Sequence, residues 1–100
     1  MSNPSPLHER IRAHVLITGR VQGVGYRFST REQAEELGVK GWVRNLPDGR
    51  VEAVFEANEA LVKEMINWCR IGPRGASVKD VAVEYKAPEG LQKFEIRRSS

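Results

Sequence analysis

One cysteine, Cys69, stands in 100 residues, so no intrachain disulfide can form and no thiolate pair can hold a metal. It falls within an apolar helical stripe and reads as a small core residue. Histidine is nearly as scarce. His8 and His14 are six positions apart, with no cysteine or carboxylate cluster to complete a coordination shell. No window approaches the roughly 20 apolar residues a membrane-spanning helix needs. The opening Met1-Ser2-Asn3-Pro4-Ser5-Pro6 is polar and proline-rich, without the apolar core of a secretory signal. Residues 1–10 therefore read as a disordered tail, and a cytoplasmic location is expected. A large excess of one charge is missing too. Sixteen Lys and Arg against thirteen Asp and Glu leave +3, interleaved along the chain. That balance suits a small anionic substrate and does not demand nucleic acid. The densest basic group, Lys93, Arg97 and Arg98, reads as a solvated strand edge.

What is present is enough apolar matter, 40% of residues, to fill one modest core in one domain. Residues 11–98 carry its pattern. Ile11, Ala13, Val15 and Ile17 alternate, which predicts a half-buried strand over 11–18, with His14 on its less buried face. From Tyr26 to Leu37 the period becomes helical. Tyr26, Thr30, Ala34 and Leu37 share one face, and Gly38 stops it. A second strand spans 39–46, and Pro47-Asp48-Gly49 turns the chain into a third. There Val51, Ala53 and Phe55 line one face and Glu52, Val54 and Glu56 the other. Asn58 caps a second helix, with Glu59 near its positive end. Leu61, Val62, Met65, Ile66, Trp68 and Cys69 form its apolar stripe, and Gly72-Pro73 ends it. Val81, Val83 and Tyr85 mark a fourth strand, Pro88 to Gly90 a turn, and Phe94 and Ile96 a short last strand. The order strand, helix, strand, strand, helix, strand predicts an α+β, ferredoxin-like fold. Two helices then cover one face of a mostly antiparallel sheet of four to five strands.

The chemistry concentrates between the first strand and the first helix, in Gly19-Arg20-Val21-Gln22-Gly23-Val24-Gly25-Tyr26-Arg27. Three glycines in seven residues let the backbone turn tightly and approach a ligand closely. Such a loop entering a helix aims N–H groups at one spot, where unsatisfied donors and the helix dipole attract an anion. Arg27 falls in the first helical turn, and its planar fork matches two phosphate oxygens. It is not a P-loop: Val24 stands where the second glycine belongs, and no Gly-Lys-Ser/Thr follows. Nor is it a dinucleotide fingerprint, because Phe28 replaces the third glycine. Composition alone is equally compatible with a plain glycine-rich connection carrying an exposed arginine.

The Gly19–Arg27 stretch resembles the first signature of the acylphosphatase family, and Gly41-Trp42-Val43-Arg44-Asn45 with Gly49-Arg50-Val51 resembles the second. Gly72-Pro73 and the alternating Val78, Val81 and Val83 match the family's later part. The likeness spans residues 11 to 98. One departure is Ala57, where the family's second signature usually closes with glycine. The resemblance implies hydrolysis of the carboxyl–phosphate bond of acyl phosphates to a carboxylate and inorganic phosphate, with no metal or organic cofactor. It makes Arg27 the phosphate-binding arginine and Asn45 the water-positioning asparagine, and it gives the backbone N–H groups of Arg20, Val21, Gln22, Gly23, Val24 and Gly25 the remaining phosphoryl oxygens. Arg20 and Arg44 would add field near the site. Read without the family, Asn45 is better taken as a strand-end residue bonding its own turn.

Two competing functions remain. A ferredoxin-like sheet also serves as a non-enzymatic phosphate- or RNA-binding regulatory module. RNA-binding versions need aromatics exposed on the sheet. Phe55 and Tyr85 fall on the valine faces and read as core, and no RNP-type aromatic motif is present. An acylphosphatase-like domain of a larger carbamoyl-phosphate enzyme is the other. A chain closing at Ser100 without paired cysteines favours a free-standing, monomeric hydrolase instead, although an exposed edge strand is available for pairing.

Overall fold

A computed structural model describes residues 9–99. Most of the expected tail, and His8 with it, lies outside the described residues. The elements follow in the order β1 (Arg10–Arg20), α1 (Tyr26–Leu37), β2 (Lys40–Asn45), β3 (Val51–Asn58), α2 (Glu59–Ile71), β4 (Ser77–Lys86) and β5 (Phe94–Ile96). They form one sheet in the order β4-β1-β3-β2-β5, antiparallel except for the parallel pair of β2 with β5. Both helices pack on one face. The arrangement is the ferredoxin-like α+β fold that the alternation of periods predicts.

Period-two alternation on β1 buries Ala13, Val15 and Ile17 against the helices. Period 3.6 on α1 buries Tyr26, Thr30 and Ala34. On α2 it buries Val62, Met65, Ile66 and Cys69, while Leu61 and Trp68 stay half-buried at the flank. The Asn58 side-chain oxygen accepts from the Leu61 N–H at 3.0 Å, a cap that contributes about 1 kcal/mol. Gly38, at φ 76°, ends α1, and the Val39 N–H then donates to the Ala34 carbonyl at 2.8 Å.

Three details go beyond or against the expectation. First, the face of β3 turned from the helices is covered: Val54 and Glu56 are fully buried. The Glu56 carboxylate accepts the N–H groups of Glu89, Gly90 and Leu91 at 2.8, 3.0 and 3.0 Å and the Arg12 guanidinium at 2.7 Å. Burial alone would raise this carboxyl; those donors outweigh it and hold it below its ordinary value. Residues 89–91 are thus drawn over the sheet by one anion. Second, Tyr85 is not core but 54% exposed. It pairs with Ala13 on the helix side of the edge strand β4, beyond the start of α2, where it borders a groove with Ile11, Glu59 and Lys63 instead of lying beneath a helix. Third, Arg97 is more than a solvated edge charge. Its guanidinium lies 4.6 Å from the Trp42 ring centre and that of Arg44 5.2 Å, so two cations cover the indole.

Candidate active site

Pairing register decides which sequence features meet. Ile17 pairs with Val51, and Val51 with Asn45, so the three form one row across β1, β3 and β2. Strands are about 4.8 Å apart, which places Asn45 roughly two spacings from Ile17, shortly before the glycine loop begins at Gly19. Asn45 shares a face with buried Val43, so it points to the helix side of the sheet. α1 packs over β2 and β5. The top of β2, the loop and the first turn of α1 therefore converge at one end of the molecule.

The loop is shaped by its glycines. At Gly19 a Cβ would lie 2.3 Å from the Ser77 carbonyl oxygen, so only glycine lets β1 run this close to β4 at the bulge beside Thr18. Gly23 and Gly25 have φ of 75° and 76°, whereas Val24 between them does not have positive φ. Alternation in the sign of φ is the backbone pattern that turns successive N–H groups toward a common centre in anion-binding concavities. Among the described residues, none of the N–H groups of residues 21–25 donates to a backbone carbonyl or side chain. The loop leads into α1, whose start has no side-chain cap and no acidic residue in its first turn. By contrast, α2 has both Asn58 and Glu59 there. The positive end of the α1 dipole is thus uncompensated, directly behind the concavity.

Arg27 stands in that first turn, half-buried, and forms no ion pair with any described carboxylate. Arg20 is exposed and likewise unpaired. Arg44 belongs elsewhere. It pairs with Glu52 at 2.6 Å on the face opposite Asn45, where Glu52 also meets His14 at 2.7 Å. Burial would raise the Glu52 carboxyl, but the hydrogen bonds from His14 and Arg44 prevail and lower it. Adjacent strand residues face opposite ways, so the field expected from Arg44 is spent on this network.

The Asn45 amide oxygen is buried and accepts no hydrogen bond from any described residue. Native structures seldom leave such an atom unsatisfied without a functional reason. The bland alternative, an asparagine bonding its own turn, is not what the geometry displays. The turn is closed by others: the Leu46 N–H donates to the Arg50 carbonyl at 2.9 Å, and Asp48 accepts the Arg50 N–H at 3.1 Å.

Two supports escaped sequence reasoning. The Tyr26 hydroxyl donates to the Cys69 carbonyl at 2.7 Å, and its ring lies 5.6 Å from that of Trp68. This ties the start of α1 to the end of α2. The Gln22 side-chain amide donates to the Leu46 and Arg50 carbonyls, both at 2.9 Å, joining the loop to the hairpin. Neither contact leaves a sequence signal, because each joins residues at least 24 apart. Cys69 itself is buried, and burial pushes its thiol up to about 12, which makes it a poor nucleophile. No group of three or more His, Cys, Asp or Glu among the described residues could hold a metal ion. No described helix is long and apolar enough to cross a membrane.

Residues 13–96 match the family model described as Acylphosphatase. An acylphosphatase of Trichormus variabilis is 60% identical over 98 residues, covering 98% of this chain and 97% of its own. The solved acylphosphatase of Coxiella burnetii superposes with a TM-score of 0.85 at 38% identity, over 88% of this chain and 93% of that one. That of Bacillus subtilis also gives 0.85, at 32% identity, over 87% and 98%.

Proposed function

The chain belongs to the acylphosphatase family and is an enzyme of that class; from this we propose that a metal-free site built from residues 20–25, Arg27 and Asn45 hydrolyses acyl phosphates. The Asn45 oxygen carries the reading: it is a buried acceptor with no partner among the described residues, on the row of strands that leads to a loop whose N–H groups have none there either.

The N–H groups of the loop and the guanidinium of Arg27 hold the phosphoryl oxygens. Water attacks phosphorus, the bond from phosphorus to the carboxyl oxygen breaks, and its electron pair leaves on the carboxylate. A carboxylate is a good leaving group, so placement and charge stabilisation matter more than covalent help. The concavity and arginine stabilise negative charge as the phosphoryl group transfers. An amide is not basic near neutral pH, so Asn45 accepts a hydrogen bond from water and aims it. The water's protons end on the phosphate product. The cradle selects the phosphate.

The purified full chain, incubated with benzoyl phosphate, is expected to hydrolyse it at a rate unaffected by chelator and competitively inhibited by inorganic phosphate. Activity abolished by chelator and restored by a divalent ion would overturn the metal-free site. Phosphate binding without turnover would make the protein a binding module.

A further inference from the structure

We propose that the side chain of Gln22 is a positioning residue that sets Asn45 relative to the phosphate cradle, an inference that rests on the site described above. Its amide nitrogen uses both hydrogens, one on the Leu46 carbonyl and one on the Arg50 carbonyl, each at 2.9 Å. These acceptors lie on the two sides of the hairpin mouth. Each already takes a backbone donor: Leu46 from the Gly49 N–H at 3.2 Å, and Arg50 from the Leu46 N–H at 2.9 Å. A carbonyl has two lone pairs, so the hairpin closes without Gln22. What Gln22 adds is a tie between the hairpin and the loop.

Among the described residues these are the only hydrogen bonds between residues 21–25 and residues 46–50. The Leu46 peptide directly follows Asn45, so a displacement of the hairpin mouth displaces the amide that aims water. The cradle is different. Its N–H groups are oriented by the backbone at Gly23 and Gly25 and by the start of α1. Its fit to phosphate does not depend on the Gln22 amide. Loss of the tie should separate the two halves of the site, leaving phosphate binding intact and the attack misaligned.

Gln22→Met keeps the length and apolar body of the side chain and removes both donors. Misplacement of a reacting group by about 1 Å costs up to ~100-fold, so kcat on benzoyl phosphate should fall about 10- to 100-fold. KM and inhibition by inorganic phosphate should stay within about threefold. A double-variant cycle with Asn45→Ala supplies the readout that a merely structural role would not move. With Asn45 gone, Gln22→Met should change kcat little. Equal fold-losses in both backgrounds would overturn the proposal, as would a loss confined to KM and phosphate inhibition. If Asn45→Ala alone left kcat unchanged, the water-positioning reading itself would fail and this inference with it.

Gln22→Glu provides a second test that needs no comparison of stabilities. Its ionised carboxylate faces two carbonyl oxygens and repels them, while the protonated acid regains one donor. The ratio of variant to parent kcat should climb as pH falls toward the titration of that carboxyl. A flat ratio in a folded variant would overturn the proposal.

Discussion

Glu56 is where the structure makes its strongest quantitative demand. Its carboxylate is fully buried and accepts four donors, three backbone N–H groups and one guanidinium. Glu56→Gln keeps the shape. One amide oxygen can still serve Gly90 and Leu91, which share Oε1. The new NH2 group then faces the Glu89 N–H and Arg12, which share Oε2. Donors are set against donors, one of them charged and only 12% exposed. Breaking a buried pair from one side costs about 3–5 kcal/mol, and an unsatisfied N–H adds about 1–3 kcal/mol. Relaxation of the largely exposed 89–91 segment offsets part of this, so a loss of about 3–4 kcal/mol is expected. Total stability for a domain of this size is about 5–15 kcal/mol, and each kcal/mol moves Tm by about 4–8 °C. Urea unfolding of parent and variant measures the loss directly, with Tm falling by at least about 12 °C.

The same carboxyl makes the difference pH-dependent. Its folded value lies below the ordinary one, so between the two values the unfolded chain binds the extra proton and stability rises with pH. The contribution is complete above the unfolded value, near 4.3, and is lost as pH falls through the folded value. The gap between parent and Glu56→Gln should therefore shrink below about pH 4. Glu56 pairs with Arg12 and Lys40, at the end of the sheet away from Asn45, so kcat of the folded variant should be unchanged. A loss under about 1 kcal/mol, the worth of an exposed ion pair, would refute the reasoning.

Other outcomes are as definite. Arg27→Ala should weaken inhibition by inorganic phosphate and lower kcat/KM by about 100-fold or more, since it removes a bidentate charged contact; Arg27→Lys should recover only part, because an ammonium lacks the fork. Asn45→Ala should lower kcat by about 100-fold, the scale of losing one oriented polar group, with a smaller change in phosphate inhibition; steady-state kinetics on benzoyl phosphate separates the two. Cys69 should resist a thiol reagent in the folded protein at pH 8 and react at the normal rate once unfolded, because burial holds the thiol up near 12.

Much of this architecture is readable in order along the chain. The switch from period two to 3.6 at Tyr26, the stop at Gly38, the Pro47-Asp48-Gly49 turn and the Asn58 cap are local. Each is set by residues within a few positions of one another, so each is legible without coordinates. The glycine loop followed by Arg27 is local in the same sense, and its motif carries both the family and the proposed anion site. Tertiary structure alone decides what lies across the sheet. The row Ile17–Val51–Asn45 brings an asparagine to the end of the sheet that carries the glycine loop and sends its neighbour Arg44 to the opposite face, into the pair with Glu52. Tyr85 alternates like a core residue, yet it lies beyond the start of α2 and stays uncovered. Glu56 alternates like a surface residue, yet a turn 33 positions away supplies the donors that bury it. Periodicity specifies a residue's face, whereas burial and partnership depend on which distant element covers that face. The packing of the whole chain sets that cover, which no local window of sequence contains.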